Sequence, residues 1–314
     1  MKLGPKITYA AEPPAKESDL LYSLYNAGRY ADLENLALST LAKYPKFAVG
    51  WKLLGISQHR QGKDSLPALQ KTVALAPTHA DAHNSLGNVY LERKQFSNAA
   101  ASYRRALKLQ PESVGARYNL GIALKNLGQF DDAAKCFRQA LRVNPGLVDA
   151  YIYLGNIYSD SGQLEKAMEN YNQALKLKPD NAAVHYNLGN LFNKLGQREN
   201  AIDSLRNATA LRPDNVEAHF NLGSVLMDTG KLEEAERSFR KSLALKPDFV
   251  DALVNLGAAL KGLDRFDEAL DCYRQALEFR PNFAEIHSEI GKIEGLVSTH
   301  GTQSTHSNSS KNEE

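Results

Sequence analysis

Residues 148–181 read VDAYIYLGNIYSDSGQLEKAMENYNQALKLKPDN, and this stretch of 34 residues decides the fold. Tyr151, Leu154 and Tyr158 lie at i, i+3 and i+7, which is the spacing of one face of an α-helix. Leu154 is therefore expected to be a buried anchor. Gly162 follows in a polar segment and can adopt the left-handed conformation that ends a helix. The stretch thus begins with one amphipathic helix and a tight turn.

A second apolar stripe follows the turn and consists of Leu164, Ala167, Tyr171, Ala174 and Leu175. Pro179 closes this second helix, because a residue before proline is pushed out of the helical region. Asp180 or Asn181 can then cap the next helix. The unit predicted by the stretch is a helix, a tight turn and a helix.

The same unit recurs along the chain with a stride of 34 residues. Glycines at this stride follow an aliphatic residue, as in Leu86-Gly87, and are Gly87, Gly121, Gly155, Gly189, Gly223, Gly257 and Gly291. With this glycine numbered as repeat position 8, position 20 holds Ala99, Ala133, Ala167, Ala201, Ala235 and Ala269. Position 32 holds Pro111, Pro145, Pro179, Pro213, Pro247 and Pro281. We expect small residues at positions 8 and 20 where the two helices of a unit approach each other, since larger side chains there would overpack the contact.

This pattern resembles the tetratricopeptide repeat, whose signature places leucine, glycine, alanine, an aromatic residue and proline at these offsets. The match covers roughly residues 15–295. The resemblance implies an all-α fold, a right-handed superhelical solenoid of about eight helix-turn-helix repeats followed by a C-terminal capping helix. Such an array buries its core between neighbouring repeats and presents an extended surface to partners.

The ends of the chain depart from the regular pattern. Residues 1–14 are predicted to be a disordered N-terminal segment, and residues 15–295 the solenoid. Within it the first two repeats are degenerate, six regular repeats begin at residue 80, and residues 284–295 form the cap. The polar residues 296–314 are predicted to be a disordered tail.

Composition limits the function. The net charge is +2, from 38 basic and 36 acidic residues, so we expect no nucleic-acid partner. No apolar run reaches the ~18 residues that span a bilayer, so we expect no membrane partner and a cytoplasmic location. Cys136 and Cys272 occupy the same slot four strides apart, too distant for a disulfide.

No pattern in the sequence indicates catalysis. His83, His185, His219 and His287 all occupy repeat position 4, which Trp51 and Tyr151 fill elsewhere, so we interpret them as structural. Successive copies should lie about one repeat apart, too far to share a metal ion. Phosphate-binding glycine loops and His-Glu-x-x-His motifs do not occur. We expect neither an enzyme nor a metal site nor a cofactor.

The first helix of each repeat carries a polar stripe turned away from the core. Positions 6 and 9 of this stripe hold Asn88, Asn119, Tyr153, Asn156, Asn187, Asn190, Asn221 and Asn255. Position 5 beside them adds Tyr118, Tyr186 and Phe220 as candidate apolar anchors. In the family that it resembles, the stripe lines the concave wall. Because a side-chain amide both donates and accepts hydrogen bonds, a row of amides can hold an extended peptide by its backbone. A solvated groove without a ligand explains the same pattern equally well.

Three functions are compatible with these observations. The first is a non-catalytic scaffold that binds protein or peptide partners in the groove. The second follows from the asparagine-leucine-glycine motif, which is similar to the substrate-presenting arm of bacterial SPINDLY-like O-linked N-acetylglucosamine transferases, here without the glycosyltransferase domain. The third is self-association, with the cap of one array docking into the groove of another.

Overall fold

The computed structural model describes the backbone of residues 12–309 and the side chains of residues 12–296. All regular elements within this range are α-helices: α1 Ala15–Asn26, α2 Tyr30–Lys43, α3 Ala48–Arg60, α4 Leu66–Leu75, α5 Ala80–Glu92, α6 Phe96–Leu109, α7 Val114–Asn126, α8 Phe130–Val143, α9 Val148–Asp160, α10 Leu164–Leu177, α11 Ala182–Lys194, α12 Arg198–Leu211, α13 Val216–Asp228, α14 Leu232–Leu245, α15 Val250–Gly262, α16 Phe266–Phe279 and α17 Ala284–Ser309. Across the described range this order gives eight helical hairpins and a final helix. The predicted all-α repeat fold is confirmed.

The chain divides into two compact units, Met1–Leu154 and Gly155–Glu314, and the division falls inside α9. Within the first unit each helix packs on the next, and the first helices of successive hairpins also touch, as in α1 with α3 and α5 with α7. The second unit repeats this arrangement, with α11 on α13 and α13 on α15. The first helices of the hairpins thus form a layer of their own in each unit.

A left-handed residue ends the first helix of the hairpins, as predicted for Gly162, whose φ is +76°. The turn is closed by the Gln163 amide, which donates to the Tyr158 carbonyl at 2.8 Å. Lys94 and Asp264 occupy the same slot with φ of +57° and +59°. The turn therefore keeps its geometry where the sequence lacks glycine.

The proline and the cap act where the sequence places them. Lys178, before Pro179, leaves the helical region with φ of −141°. Of the two candidate caps it is Asn181 that caps α11, since its Oδ1 accepts from the Val184 amide at 3.2 Å. The second helix of one hairpin and the first helix of the next are thereby joined by a short, fixed loop.

Repeat position 8 is where the two helices of a hairpin come closest. A Cβ atom added to Gly155 would lie 2.4 Å from the Tyr171 ring, so only glycine fits the present backbone. The neighbour is thus the side chain at position 24 rather than Ala167, which is nevertheless fully buried. The same pairing joins Gly87 to Tyr103, Gly121 to Phe137, Gly189 to Leu205, Gly223 to Phe239 and Gly257 to Tyr273. Leu154 is 2% exposed, which confirms the predicted anchor.

The position-4 histidines have a shared structural partner. In each the Nε2 atom lies 2.9–3.0 Å from the carbonyl oxygen of the position-32 proline of the preceding repeat, in the pairs His83–Pro77, His185–Pro179, His219–Pro213 and His287–Pro281. Trp51 donates to Pro45 in the same way, at 2.9 Å. Because a carbonyl only accepts, Nε2 carries the proton. This contact explains why tryptophan and histidine share the slot.

The structure describes the ends of the chain in part. Helix α17 includes the predicted cap, residues 284–295, and continues to Ser309, within the segment predicted to be a disordered tail. After Pro281 the sequence contains no proline and no second hairpin helix that would end it. Residues 1–11 and 310–314 of the two predicted disordered segments lie outside the described residues. Residues 12–14 precede α1, and Pro13 among them is buried.

Both cysteines are free, as predicted, Cys136 half-buried and Cys272 buried. Burial raises the pKa of both thiols, that of Cys272 to about 11. Among the helices of the described range, none is long and apolar enough to cross a membrane. The same range contains no group of three or more His, Cys, Asp or Glu side chains placed to hold a metal ion.

Candidate functional site

The asparagines of the polar stripe in the second unit bond to one another. Asn187 Nδ2 donates to Asn156 Oδ1 at 2.9 Å, and Asn221 Nδ2 donates to Asn190 Oδ1 at 2.8 Å. Each bond joins position 6 of one repeat to position 9 of the repeat before it, 31 residues earlier. We call these four residues the asparagine ladder. Asn255 is placed in the same way, but its Nδ2 atom lies 3.5 Å from Ser224 Oγ, a long hydrogen bond.

A buried tyrosine supports the first pair of the ladder. The hydroxyl of Tyr171 donates to Asn156 Oδ1 at 2.7 Å, so this oxygen accepts both the phenol and the Asn187 amide. Tyr171 is only 2% exposed, and burial raises the pKa of its phenol. The phenol therefore stays protonated at neutral pH and remains a donor. The position of the Asn156 side chain is fixed from two directions.

The first unit contains one copy of the same arrangement. Asn88 Oδ1 accepts from the Tyr103 hydroxyl at 2.8 Å and from Asn119 Nδ2 at 3.0 Å. As with Tyr171, desolvation raises the pKa of the Tyr103 phenol. A tyrosine at position 24 thus accompanies an asparagine at position 9 in both units. The phenol needs an acceptor inside the hairpin, and the amide oxygen is within its reach.

The next repeat of the first unit replaces this polar arrangement with an aromatic cluster. Position 9 is Ile122 and position 24 is Phe137, so neither has a polar group to satisfy. Tyr153 stacks on Phe137 at a centroid distance of 5.2 Å, and Tyr118 meets Phe137 edge-on at 5.8 Å. Lys125 Nζ lies 4.9 Å from the Tyr153 ring centroid. Tyr118 and Tyr153 are therefore packing partners of each other and of the core.

The predicted apolar anchors of the second unit are also engaged. Phe220 lies 4.8 Å from Phe249 and 5.9 Å from Phe239 between ring centroids. The Tyr186 hydroxyl accepts from Asn221 Nδ2 at 3.1 Å. Both rings are half-buried and pack against the core of the unit. They are therefore packing residues and do not stand free as anchors.

Several amide groups along the ladder have no partner within the described residues. These are the Oδ1 atoms of Asn187 and Asn221 and the Nδ2 atoms of Asn156 and Asn190. All four residues line a hollow of about 480 Å³, together with Asp160 and Lys194. Donors therefore alternate with acceptors along the hollow, at spacings set by the repeat. A main chain that presents N–H and C=O groups in turn can bond to such a row.

Replacing Asn156 by alanine is expected to lower the free energy of unfolding by about 1–3 kcal/mol, because it leaves the Tyr171 phenol and the Asn187 amide without their acceptor. Chemical denaturation followed by circular dichroism measures the change. Asn200, exposed on α12, provides the control: Asn200→Ala should change stability by less than about 0.5 kcal/mol. Equal stability of the two variants would contradict the ladder's structural role.

The sequence predicted the polar stripe but not the bonds within it. The helical spacing places each asparagine on the face of its own helix and says nothing of contacts between helices. One signal was available. Asparagines recur 31 residues apart as well as 34 apart, in the pairs Asn88–Asn119, Asn156–Asn187 and Asn190–Asn221. A spacing of 31 residues, three shorter than the repeat, is the distance in sequence from position 9 of one repeat to position 6 of the next repeat.

Comparison with family models gives two matches. The model described as the Cilia and flagella-associated protein 70 C-terminal domain, a tetratricopeptide-repeat model, matches residues 31–252, well over half of the chain. The model of the tetratricopeptide repeat itself matches residues 250–283. A search of curated proteins finds no match.

Solved structures of repeat proteins are similar to this chain. YrrB, described as a TPR protein with an unusual peptide-binding site, has a TM-score of 0.54 and 25% identity over 61% of this chain and 99% of its own. MamA has a TM-score of 0.51 and 28% identity over 56% of this chain and 96% of its own. For pilF of Pseudomonas aeruginosa the TM-score is 0.59 and the identity 19%, over 68% of this chain and 97% of that one, which shows the fold alone.

Proposed function

The chain belongs to the tetratricopeptide-repeat family, and we propose that it is a non-catalytic scaffold that binds extended peptide segments of protein partners. The observation that carries the proposal is the asparagine ladder, whose unpaired amide groups line one continuous hollow in the second unit. The likeness to YrrB, a protein described as having a peptide-binding site, supports the same reading. The cytoplasmic location stays a prediction.

The bonds within the ladder favour binding over a passive solvated surface. Each amide is held in one orientation by its neighbour, so its remaining donor or acceptor points in a fixed direction before a ligand arrives. Side chains that are already ordered lose little conformational entropy on binding, which costs about 0.5–1.5 kcal/mol for each side chain that must be immobilised. The amides contact main-chain groups, which every peptide carries. We therefore expect affinity with modest sequence preference.

Selection from a phage-displayed library of random peptides about twelve residues long, roughly 40 Å when extended, provides the test. Peptides selected on the parent protein should bind the Asn187→Ala/Asn221→Ala variant at least about tenfold more weakly, from the loss of two hydrogen bonds of ~1 kcal/mol each. Isothermal titration calorimetry measures both affinities.

The matched control is Asn200→Ala/Asn207→Ala, which removes two exposed amides from α12. This variant should bind the selected peptides as tightly as the parent. Circular dichroism of all three proteins verifies folding. A third variant, Lys194→Ala, changes the rim and no ladder bond, since Lys194 bonds only to Ser159 Oγ, at 3.4 Å. If the ladder variant and the rim variant both bind the selected peptides as tightly as the parent, the hollow is not the binding site.

Two other functions stay open on specific observations. The ladder is also the feature on which the resemblance to the substrate-presenting arm of O-linked N-acetylglucosamine transferases is based, and a role in recruiting glycosylation substrates would use the same amides. A glycosyltransferase that co-purifies with the chain and loses its substrates in the Asn187→Ala/Asn221→Ala variant would favour that role. Self-association predicts light scattering that rises with protein concentration.

A further inference from the structure

A second hollow of about 460 Å³ lies at the end of the second unit, between α15, α16 and α17. Its lining includes Val254 and Ala258 from α15, Ile286 from α17 and Tyr273 from α16. It occupies the place where the next step of the ladder would stand. Position 9 is Ala258 here, and position 6 of the following helix is Glu289. The carboxamide found at this step in other repeats is missing.

The missing carboxamide leaves a buried phenol without a partner. Tyr273 packs its ring on Gly257, as Tyr103 packs on Gly87 and Tyr171 on Gly155. In those two hairpins the hydroxyl donates to the position-9 asparagine. Tyr273 is 2% exposed, lines the hollow, and makes no hydrogen bond within the described residues. Its hydroxyl is a donor without an acceptor, in a place where the fold otherwise supplies one.

The charges around the hollow balance, and most of them are paired. Glu289 accepts hydrogen bonds from Lys261 and from Lys292, and these bonds lower the pKa of Glu289, so it is a carboxylate at neutral pH. Burial raises the pKa of Tyr273 to about 12, and the charge of Glu289 adds to the shift. Glu289 and Tyr273 both line the hollow, so a bound ligand can reach the carboxylate and the phenol together. Glu285 completes a set of two positive and two negative groups.

We propose that this hollow binds a primary carboxamide, the side-chain group of a glutamine or asparagine residue in a bound peptide. The ligand oxygen accepts from the Tyr273 hydroxyl, in the role of the Asn88 and Asn156 oxygens. The ligand NH₂ group donates to Glu289, whose carboxylate has lone pairs beyond those that the lysines use. The inference rests on the proposed function in one respect: the carboxamide belongs to a peptide that the protein binds.

The same geometry disfavours the nearest alternative ligands. A carboxylate would meet the negative charge of Glu289 and, because the lysines are already paired with it, no net positive charge. An apolar side chain would fill the volume and displace water from the Tyr273 hydroxyl without replacing the hydrogen bond that water makes. A carboxamide satisfies both the donor and the acceptor.

Methyl NMR of the whole chain tests the proposal with three probes: the N-acetyl, N-methylamide derivatives of glutamine, glutamate and methionine. Methyl resonances of Val254 and Ile286 report on the hollow, and those of Ile202, fully buried in α12, serve as the internal control. The glutamine probe should shift the two reporters at concentrations at least about tenfold lower than the other probes, as expected for the two hydrogen bonds that only the carboxamide makes. Equal responses to all three, or no response to glutamine, would overturn the assignment.

Two variants distinguish a hydrogen bond between the ligand and Tyr273 from nonspecific occupation of the hollow. Ala258→Asn restores the asparagine–tyrosine pair within the chain and should abolish the shifts while raising the melting temperature. Tyr273→Phe removes the hydrogen-bond donor. It should weaken binding of the glutamine probe about tenfold and have little effect on binding of the methionine probe. Glutamine binding retained in Ala258→Asn would refute the inference. The probes are too small to need the ladder. If peptides bind at the ladder but the glutamine probe does not bind the hollow, the carboxamide site is rejected and the proposed function is not.

Discussion

Replacing Gly155 by leucine is expected to destabilise the folded chain by at least about 3 kcal/mol. The first added atom, Cβ, would lie 2.4 Å from one Tyr171 ring carbon and 2.6 Å from another, and three further carbons follow. The ring cannot withdraw easily, because it is buried and its hydroxyl is bonded to Asn156 at 2.7 Å. The two helices would have to separate. Thermal and chemical denaturation followed by circular dichroism measure the loss.

The matched control is the same substitution at Gly291, the final copy of repeat position 8. An added Cβ at Gly291 meets nothing within 4 Å, and within the described residues no further helix follows α17. Gly291→Leu should leave stability unchanged or raise it by up to about 1 kcal/mol, because leucine is the better helix former. If both variants lost the same stability, the close contact at Gly155 would not explain the effect.

The pair of glycines shows which parts of the fold can be predicted from sequence. A stride of 34 residues identifies the hairpin, and the residue types at its fixed positions identify the close contact, the turn and the loop. Gly162 and Asn181 act as their local chemistry predicts. The identity of the contact at Gly155 could not be read in this way, because the ring of Tyr171 and the methyl of Ala167 both lie on the facing helix. Only the packed structure selects between them.

The C-terminal end of the array illustrates a related point. A helix ends where a residue or a neighbour ends it, and the prediction of a short cap relied on composition. Polar residues from Ser298 onward lower the apolar content but do not stop a helix that has already begun. The structure accordingly continues α17 to Ser309.

The candidate site shows the limit of periodicity most clearly. Helical spacing predicts that Asn187 and Asn190 share one face of α11. The structure adds that Asn187 bonds backward to Asn156, while Asn190 accepts from Asn221 of the next hairpin. The helix α11 therefore takes part in two steps of the ladder. The residues that we propose to hold a peptide also tie neighbouring repeats together, so binding and stability are coupled at this surface.

Because binding and stability are coupled, substitutions in the core should also affect peptide binding. Among truncations of core side chains, we expect a large loss of folding stability from Phe239→Ala. Phe239 is fully buried in α14, with Gly223 against one edge and Phe220 at a centroid distance of 5.9 Å. Truncation should cost about 3–5 kcal/mol, because the lost burial is joined by a cavity that the rigid hairpin cannot close. Chemical denaturation of the variant measures this cost.

Phe279→Ala in α16 removes the same side chain from a position that is 53% exposed, and should cost less than about 1 kcal/mol. Comparable losses from both phenylalanines would contradict the packing described for α14. Because the stability of a repeat array is a sum over repeats and their interfaces, the Phe239→Ala loss should also loosen the α11–α13 contact. That contact holds Asn190 against Asn221, so selected peptides should bind the variant more weakly even where it remains folded.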